Sequence, residues 1–475
     1  MARRRDNPDL PSPMGVDHAA LRARLMEQLA NSLSVPLPEA TERRVSGRIT
    51  FPGKATAVVG MRRSGKTTFL HQIRRIRLDQ GIHRERLPHI NFEDERLAGV
   101  TANDLTILLE EYYRRFPAWR GRETVTWCFD EIQVVPGWER FVRRLLDGEK
   151  VEVFLSGSSA ALLSREIATA LRGRAWEVVI FPFSFEEYLR HQGQELPRRL
   201  DLLSANERSA LQGALREYLI CGGFPEAQGL DAPSRYRLLL DYVDVAILRD
   251  VVERHRVSNI VSLRWLVRHL LGNPGSLFSV EKFYAALKSQ GLAVARDTLH
   301  QLLSYLEDCF LVRMAWVEGT SERRRMVNPR KVYPVDPGLI PVFDRSGRAN
   351  LGHALETAVR IELERRGMQV HYVRTKEGFE VDFLARIPEG GEALIQVCSD
   401  LAETGARERE IRALFSAAKE HPHASLNLIT IMPETASDVP EKIQIHDAAL
   451  WLLQPFVGHD TPRGEQPGKA ERSIK

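Results

Sequence analysis

The sequence predicts an α/β protein whose first half is a parallel sheet covered by helices on both faces. Two observations carry that expectation. Gly60-Met61-Arg62-Arg63-Ser64-Gly65-Lys66-Thr67 fits G-x-x-x-x-G-K-[ST] without mismatch, between the apolar run Ala57-Val58-Val59 and the helix-like Thr68-Phe69-Leu70-His71-Gln72-Ile73. Further along, the apolar stretch Thr124 to Phe129 ends in Asp130-Glu131, and another strand-like run, Val151 to Leu155, follows it. Strands alternating with helical periods, the first strand opening into a phosphate loop, are the pattern of a doubly covered parallel sheet.

The chemistry follows from the residue types. Gly60 and Gly65 let the backbone turn without a Cβ in the way, so successive N–H groups can point at phosphate oxygens. The loop from Gly60 through Arg62, Arg63, Ser64, Gly65 and Lys66 to Thr67 and Thr68 is therefore the expected ATP cradle. Lys66 adds a point charge, and the following helix start adds its partial positive charge. Thr67 and Asp130 are the expected Mg²⁺ ligands, and Glu131 is expected to polarise the attacking water.

Composition limits the alternatives. At 475 residues the chain is long enough for two to four domains. Hydrophobic residues at 43% and charged residues at 27% are ordinary for a globular protein, and a net charge of +4 does not by itself indicate nucleic acid. Cys128, Cys221, Cys309 and Cys398 follow no metal-ligand spacing, which fits a reducing cytoplasm. No apolar run reaches the roughly 18 residues that a membrane span needs.

In chain order, 1–17 reads as a disordered, Pro-rich N-terminus. His18 to Leu33 has helical spacing at Leu21, Leu25, Leu29 and Leu33. The nucleotide-binding core is expected over 18–181. After Val151 to Leu155, Ser156 and Ser159 are candidates to sense the terminal phosphate, the alternative being a plain helix cap. Arg172 and Arg174 are candidates for an arginine finger serving a neighbouring protomer, the alternative being a surface pair. Residues 182–257 read as a helical lid with a linker. Its Gly222-Gly223-Phe224-Pro225 turn would bring Pro225 toward the adenine, or would simply join two helices. Asp241 to Arg256 reads as an amphipathic connecting helix with Val245, Leu248 and Val252 on one face.

Residues 258–330 read as a winged helix: a helix from Val280 to Ser289, a turn at Gly291, a second helix from Arg296 to Asp308, a strand and a basic wing. Its expected DNA contacts are Arg296, His300, Arg323, Arg324, Arg325, Arg330 and Lys331. They suit phosphate contact better than base readout. Residues 331–457 echo a restriction-endonuclease-like α/β domain, with Glu356 on a helix, then Glu380 and Asp382, then Gln396. Gln396 and Cys398 stand where that pattern has an acid and a lysine. With no ammonium apparent, the site reads as degenerate and nuclease activity is not expected. Residues 458–475 read as a tail.

Taken together, GMRRSGKTTFL, INFEDERL, FDEIQ, LSGSSAALL, LRGR, IFPFSFEEYL, GGFPE, VYPVDPGL, LGHALETAV, GFEVDFL and LIQVC resemble a bacterial and archaeal AAA-type ATPase family with a C-terminal domain of unknown function. That resemblance implies an AAA+ core with Lys66, Thr67, Asp130 and Glu131 as its ATPase residues, using ATP and Mg²⁺. By analogy with replication initiators and the bacterial Holliday-junction motor, it implies a homo-oligomer, a hexameric ring above all. The analogous activity is binding, remodelling or translocating on branched or duplex DNA, including branch migration. A signalling or defence switch binding protein partners is the alternative function, and an ATP-gated nuclease the third.

Overall fold

A computed structural model describes residues 18–157, 171, 173–197, 199–319, 329–344, 350–387, 390–402, 404–433 and 439–454. The described residues form two compact units. The first holds 18–40, 49–60 and 66–178, and the second holds 41–48, 61–65 and everything from 179 onward.

The first unit is built on five strands: β1 (Ala55–Val59), β2 (His89–Asn91), β3 (Val125–Asp130), β4 (Val151–Gly157) and β5 (Ala175–Val179), in spatial order β2-β3-β4-β1-β5. The β2–β3, β3–β4 and β4–β1 pairs are parallel. β1 and β3 are buried along their whole length, which is why they read as apolar runs rather than alternations. Among the described residues, four α-helices belong to this unit: α1 (His18–Ser34), α2 (Lys66–Asp79), α3 (Ala102–Arg115) and α4 (Trp138–Gly148). Leu21, Leu25 and Leu29 of α1 are buried, as their spacing predicts. Gln28 ties α1 to the sheet by accepting from the Asn91 N–H at 3.1 Å.

The parallel topology sets the carboxyl ends of β1, β3 and β4 side by side. Ligands bind parallel α/β sheets at that edge.

The second unit begins with helices α5 (Phe185–His191), α6 (Ala205–Cys221) and α7 (Ala232–Val245). Ser184 and Glu187 close a reciprocal cap at the start of α5, with bonds of 2.9 and 3.1 Å. The expected single helix from Asp241 to Arg256 is not regular. α7 ends at Val245, and Ala246–Glu253 winds as a π-helix. The wider turn changes which face is buried. Ile247, Asp250 and Val251 turn inward, while Val245 and Leu248 are exposed.

Next come α8 (Ile260–Leu271), β6 (Leu277–Phe278), α9 (Val280–Ser289), α10 (Arg296–Asp308), β7 (Val312–Val317) and β8 (Arg330–Pro334). They are followed by α11 (Leu351–Arg365), β9 (Gln369–Arg374), β10 (Glu380–Arg386), β11 (Glu392–Cys398), α12 (Thr404–Glu420), β12 (Ser425–Thr430), β13 (Ile443–Asp447) and α13 (Ala448–Leu453). The strands form one mixed sheet in the order β13-β12-β11-β10-β9-β7-β8-β6. β7 pairs antiparallel with β8 and parallel with β9. The sheet therefore runs through the boundary expected at 330/331. No helix among the described residues is long and apolar enough to cross a membrane.

Candidate functional site

β1 delivers the chain to Gly60, and α2 begins at Lys66. Gly60 has φ 149°, Arg63 φ 65° and Gly65 φ 102°. The two glycine conformations are ones that L side chains rarely adopt, so the motif's glycines are required by the backbone. Lys66 Nζ donates to the Gly60 carbonyl at 3.2 Å and stands 3.9 Å from Glu131 Oε1. Within the first unit, the loop lysine thus sits beside the acid that follows β3.

Asp130 ends β3 and is buried. Ser156 on β4 donates from Oγ to Asp130 Oδ1 and accepts from the Glu131 N–H at 3.0 Å. The serine therefore holds both acidic residues, one by its side chain and one by its backbone. Glu131 itself has φ 53°, which turns the chain sharply after the strand. Its carboxylate also accepts from Gln133 Nε2.

Asp130 Oδ2 is buried without a hydrogen-bond partner, and the His89 imidazole Nε2 stands 3.7 Å from it. Burial alone would raise this carboxyl. His89, Ser156 and the Thr67 hydroxyl outweigh that and hold it below the usual range. An ionised buried carboxylate with one unpaired oxygen, next to an exposed Thr67 hydroxyl, is a donor set that fits a small hard cation such as Mg²⁺. His71 lies 4.7 Å from His89, ring to ring. Burial and the neighbouring His89 and Arg74 push it down to about 4, so it is neutral near pH 7.

In the second unit, Met61–Gly65 is held by residues that the sequence did not mark. The buried Arg43 donates to the Ser64 carbonyl at 3.1 Å and to the Phe181 carbonyl, and pairs with Glu187 at 3.3 Å. A Cβ on Gly65 would approach Arg43 Nη1 to 3.3 Å. Arg62 Nε donates to both oxygens of the buried Asp250, at 3.2 and 3.0 Å, within the π-helical segment. Arg63 pairs with Glu226 at 3.1 Å, and Glu226 also accepts from Tyr242. Half-buried Pro225 opens the short 3-10 turn that carries Glu226, which brings the expected lid turn to the loop arginines. A polar Asp250 amid apolar helical positions was the available sequence signal. Arg43 and His89 carried none.

Of the remaining expected residues, Arg174 pairs with Asp147 of α4. Arg172 and Ser159 lie outside the described residues. Arg296, at the start of α10, pairs with Glu281 at 3.1 Å and lies over the Tyr284 ring. His300 is exposed on the same helix, and partial burial together with the nearby Arg330 lowers its pKa. Arg323, Arg324 and Arg325 also lie outside the described residues.

One expected DNA contact, Lys331, is corrected. The Arg330 guanidinium stacks on Trp316 at 4.1 Å, with Nη1 3.6 Å from Met314 Sδ, and the residue is half-buried. Lys331 is only 3% exposed. As successive residues of a strand they point to opposite faces, and the face that carries Lys331 is covered.

Lys331 instead completes the cluster of acids expected in the last segment. Its Nζ lies 2.8 Å from Asp382 Oδ1, 2.9 Å from Glu380 Oε1 and 3.2 Å from Glu356 Oε1. The Gln396 side chain accepts from the Asp382 N–H at 3.3 Å and donates to Glu410 at 2.6 Å. The four residues that sequence reading singled out are thus brought together. The expectation that no ammonium remains is overturned, because the lysine arrives from β8, far from the acids in sequence.

Residues 52–189 match the AAA domain family, and 212–347 match a domain of unknown function (DUF8612). An uncharacterised protein of Methanocaldococcus jannaschii is 35% identical over 415 residues, covering 85% of this chain and 89% of that protein. This chain belongs to that family of AAA-domain proteins. An uncharacterised protein of Haemophilus influenzae is 32% identical over 348 residues, covering 73% of this AAA-domain protein and 82% of its own length. Among solved structures, the Walker-type ATPase of Pyrococcus abyssi is 16% identical with a TM-score of 0.37, covering 68% of this chain and 95% of that one. The Aeropyrum pernix Orc1 protein, solved in complex with DNA, is 18% identical with a TM-score of 0.25, covering 69% and 92%.

Proposed function

We propose that this AAA-domain protein hydrolyses Mg²⁺-ATP as a homo-oligomer and uses the turnover to bind and remodel DNA. The observation that carries the ATPase half is the meeting of Lys66, Asp130, Glu131 and Ser156 at one sheet edge, with Asp130 Oδ2 left unpaired.

In this mechanism the backbone from Gly60 to Thr67 cradles the triphosphate. The Lys66 ammonium leaves the Gly60 carbonyl for the phosphate oxygens. Thr67 and Asp130 would hold Mg²⁺, which when bound would supply neutralisation of phosphate charge. Glu131 polarises the attacking water. Ser156 keeps the two acids in register through its two hydrogen bonds. Arg174 or Arg172 reaches a neighbouring protomer's nucleotide in a ring, most simply a hexamer. The four cysteines, none bridged and three of them buried, suit a reducing cytoplasm.

The DNA half rests on α9 and α10, joined through Gly291 and backed by the antiparallel strands β6, β8 and β7, which we read as a winged helix. Arg296 and His300 are its exposed contacts, with Arg323, Arg324 and Arg325 beyond them in the sequence. Phosphate contacts of this kind favour shape over base sequence, hence branched or duplex DNA without strong preference. The sheet from β9 to β13 with α11 and α12 is read as nuclease-like and used for assembly.

One observation favours the alternative, a nucleotide switch that binds protein partners. Lys331 is turned inward, which removes one cation from the expected DNA surface, and Arg330 is half-buried against Trp316. ATP turnover measured with and without forked, four-way and linear DNA separates the two. Stimulation by DNA supports the first reading, and turnover indifferent to all three supports the switch.

A further inference from the structure

We propose that the Lys331 ammonium is the resident cation of the Glu356–Glu380–Asp382 cluster. The nuclease-like segment then holds a divalent-cation site in latent form, closed by a lysine of its own chain.

The geometry is that of a filled site. Three carboxylates from two elements, α11 and β10, place an oxygen within 2.8 to 3.2 Å of one nitrogen. An ammonium has three donors and no acceptor, so these three contacts exhaust its hydrogen-bonding capacity. Two further bonds hold the cluster on the protein. Asp382 Oδ2 accepts from the Val397 N–H at 3.0 Å, and Glu356 Oε1, the oxygen that faces the ammonium, also accepts from the Tyr333 hydroxyl at 2.8 Å. The Gln396 amide, where an acid would add another anionic ligand, is spent between the Asp382 N–H and Glu410. Gly275 packs against the outer side, where an added Cβ would lie 2.9 Å from Glu356 Oε2.

The charge balance agrees. Lys331 is nearly inaccessible, and its burial alone would favour the neutral amine. The surrounding carboxylates outweigh that and hold it protonated far above neutral pH. Conversely, burial and Asp382 raise the Glu356 carboxyl, against which Lys331 and the Tyr333 hydroxyl act to lower it. Removing the ammonium leaves three acids close together, Asp382 buried and Glu356 and Glu380 half-buried, with no cation among them, which is the condition under which carboxylates recruit a divalent ion.

The test uses the full chain, free of nucleotide and stripped with chelator, and Mn²⁺ as the probe. Thermal unfolding is followed against Mn²⁺ concentration for the wild type, Asp382→Asn, Lys331→Ala and Lys331→Ala/Asp382→Asn. Comparison with the Asp382→Asn partner removes any contribution from the ATP site. The wild type and Asp382→Asn should respond to Mn²⁺ alike. Lys331→Ala should melt lower, and Mn²⁺ should raise its midpoint by about 3 °C or more, an effect absent from the double variant.

A Lys331→Ala protein without an Asp382-dependent Mn²⁺ response overturns the proposal. If Lys331→Ala does not fold, the wild type still decides. A Mn²⁺ response or Mg²⁺-dependent nicking of supercoiled DNA that Asp382→Asn abolishes shows a working metal site and sinks the idea. Identical behaviour of the two proteins in both assays supports it.

Discussion

Gly223 donates its backbone N–H to Asp336 Oδ2 at 2.7 Å, and the other oxygen of the same buried carboxyl accepts the Gly338 N–H at 2.9 Å. One side chain thereby clasps the Gly222-Gly223 turn to the Asp336-Pro337-Gly338 turn. The approach is so close that a Cβ on Gly222 would sit 1.9 Å from Asp336 Oδ1, and one on Gly223 would sit 2.2 Å from the Phe183 carbonyl. A motif that reads as a helix–helix turn is in fact a backbone-to-backbone seam.

Gly223→Ala should therefore lower the unfolding midpoint through steric conflict of about 1–3 kcal/mol. Asp336→Ala should cost a similar amount for each buried N–H left without an acceptor. Burial raises the Asp336 carboxyl from 3.8 to about 7, so the unfolded chain releases this proton first. The stability contributed by the group is present below about pH 4 and is lost as pH rises to about 7. The stability of wild type minus that of Asp336→Asn should decline across that window, with a slope no steeper than about 1.4 kcal/mol per pH unit. Chemical denaturation at several pH values measures it, and a difference that is flat or rises would contradict the assignment.

In the proposed mechanism the acidic pair Asp130-Glu131 divides the labour of hydrolysis. Lys66→Ala should lose tight ATP binding, because the phosphate charge has no counter-ion in the loop. Glu131→Gln should bind Mg²⁺-ATP normally and turn it over slowly, because water activation is lost while Asp130 is intact. Equilibrium binding of a fluorescent ATP analogue, run beside steady-state turnover, distinguishes the two defects. Near-normal turnover in Glu131→Gln would move the catalytic role elsewhere.

Ser156→Ala tests whether the serine acts through the acids. It leaves the buried Glu131 N–H without its acceptor and frees Asp130 Oδ1, a perturbation of about 1–3 kcal/mol. Turnover should fall by about 10- to 100-fold, with a higher Mg²⁺ requirement, since the metal ligand is no longer oriented. Ser156→Thr, which keeps the hydroxyl, should recover part of the loss. Equal behaviour of the Ala and Thr variants would reduce Ser156 to a packing residue.

These sites differ in how far they could be read from sequence. Gly60 to Thr67 and Asp130-Glu131 were legible because each is a short local pattern whose chemistry needs no distant partner. Ser156 was legible as a polar residue at the end of an apolar strand, but not its simultaneous grip on Asp130 and Glu131, which depends on β3 and β4 being neighbours. Lys331 was misread for the same reason in reverse. Beside Arg330 it looks like one more basic residue, and only the pairing of β8 with β7, and of β7 with β9, carries it to acids on α11 and β10. The amphipathic face of Asp241 to Arg256 failed locally. Two apolar stripes compete there, and the π-helical turn selects the one carrying Asp250.

The burial of Lys331 sharpens the DNA prediction. Each phosphate contact removed should reduce the slope of log affinity against log salt by roughly 0.9, so replacing Arg323, Arg324 and Arg325 together by Ala should flatten it by up to about 2.7. Arg330→Ala should reduce it by less than a full contact, because its half-buried guanidinium is stacked on Trp316. Arg296→Ala should reduce it by less than a full contact if Glu281 continues to compete for the guanidinium, and Glu281→Gln should then strengthen binding at low salt. Basal ATP turnover should stay near wild type in all these variants, since none touches Lys66 or Asp130. Affinity for a four-way junction, a fork and plain duplex, measured at several salt concentrations, checks the set. If wild type binds none of them at micromolar concentration, or the triple variant keeps the wild-type slope, the wing is not a DNA contact. The ATPase is then better described as a switch whose C-terminal half meets protein.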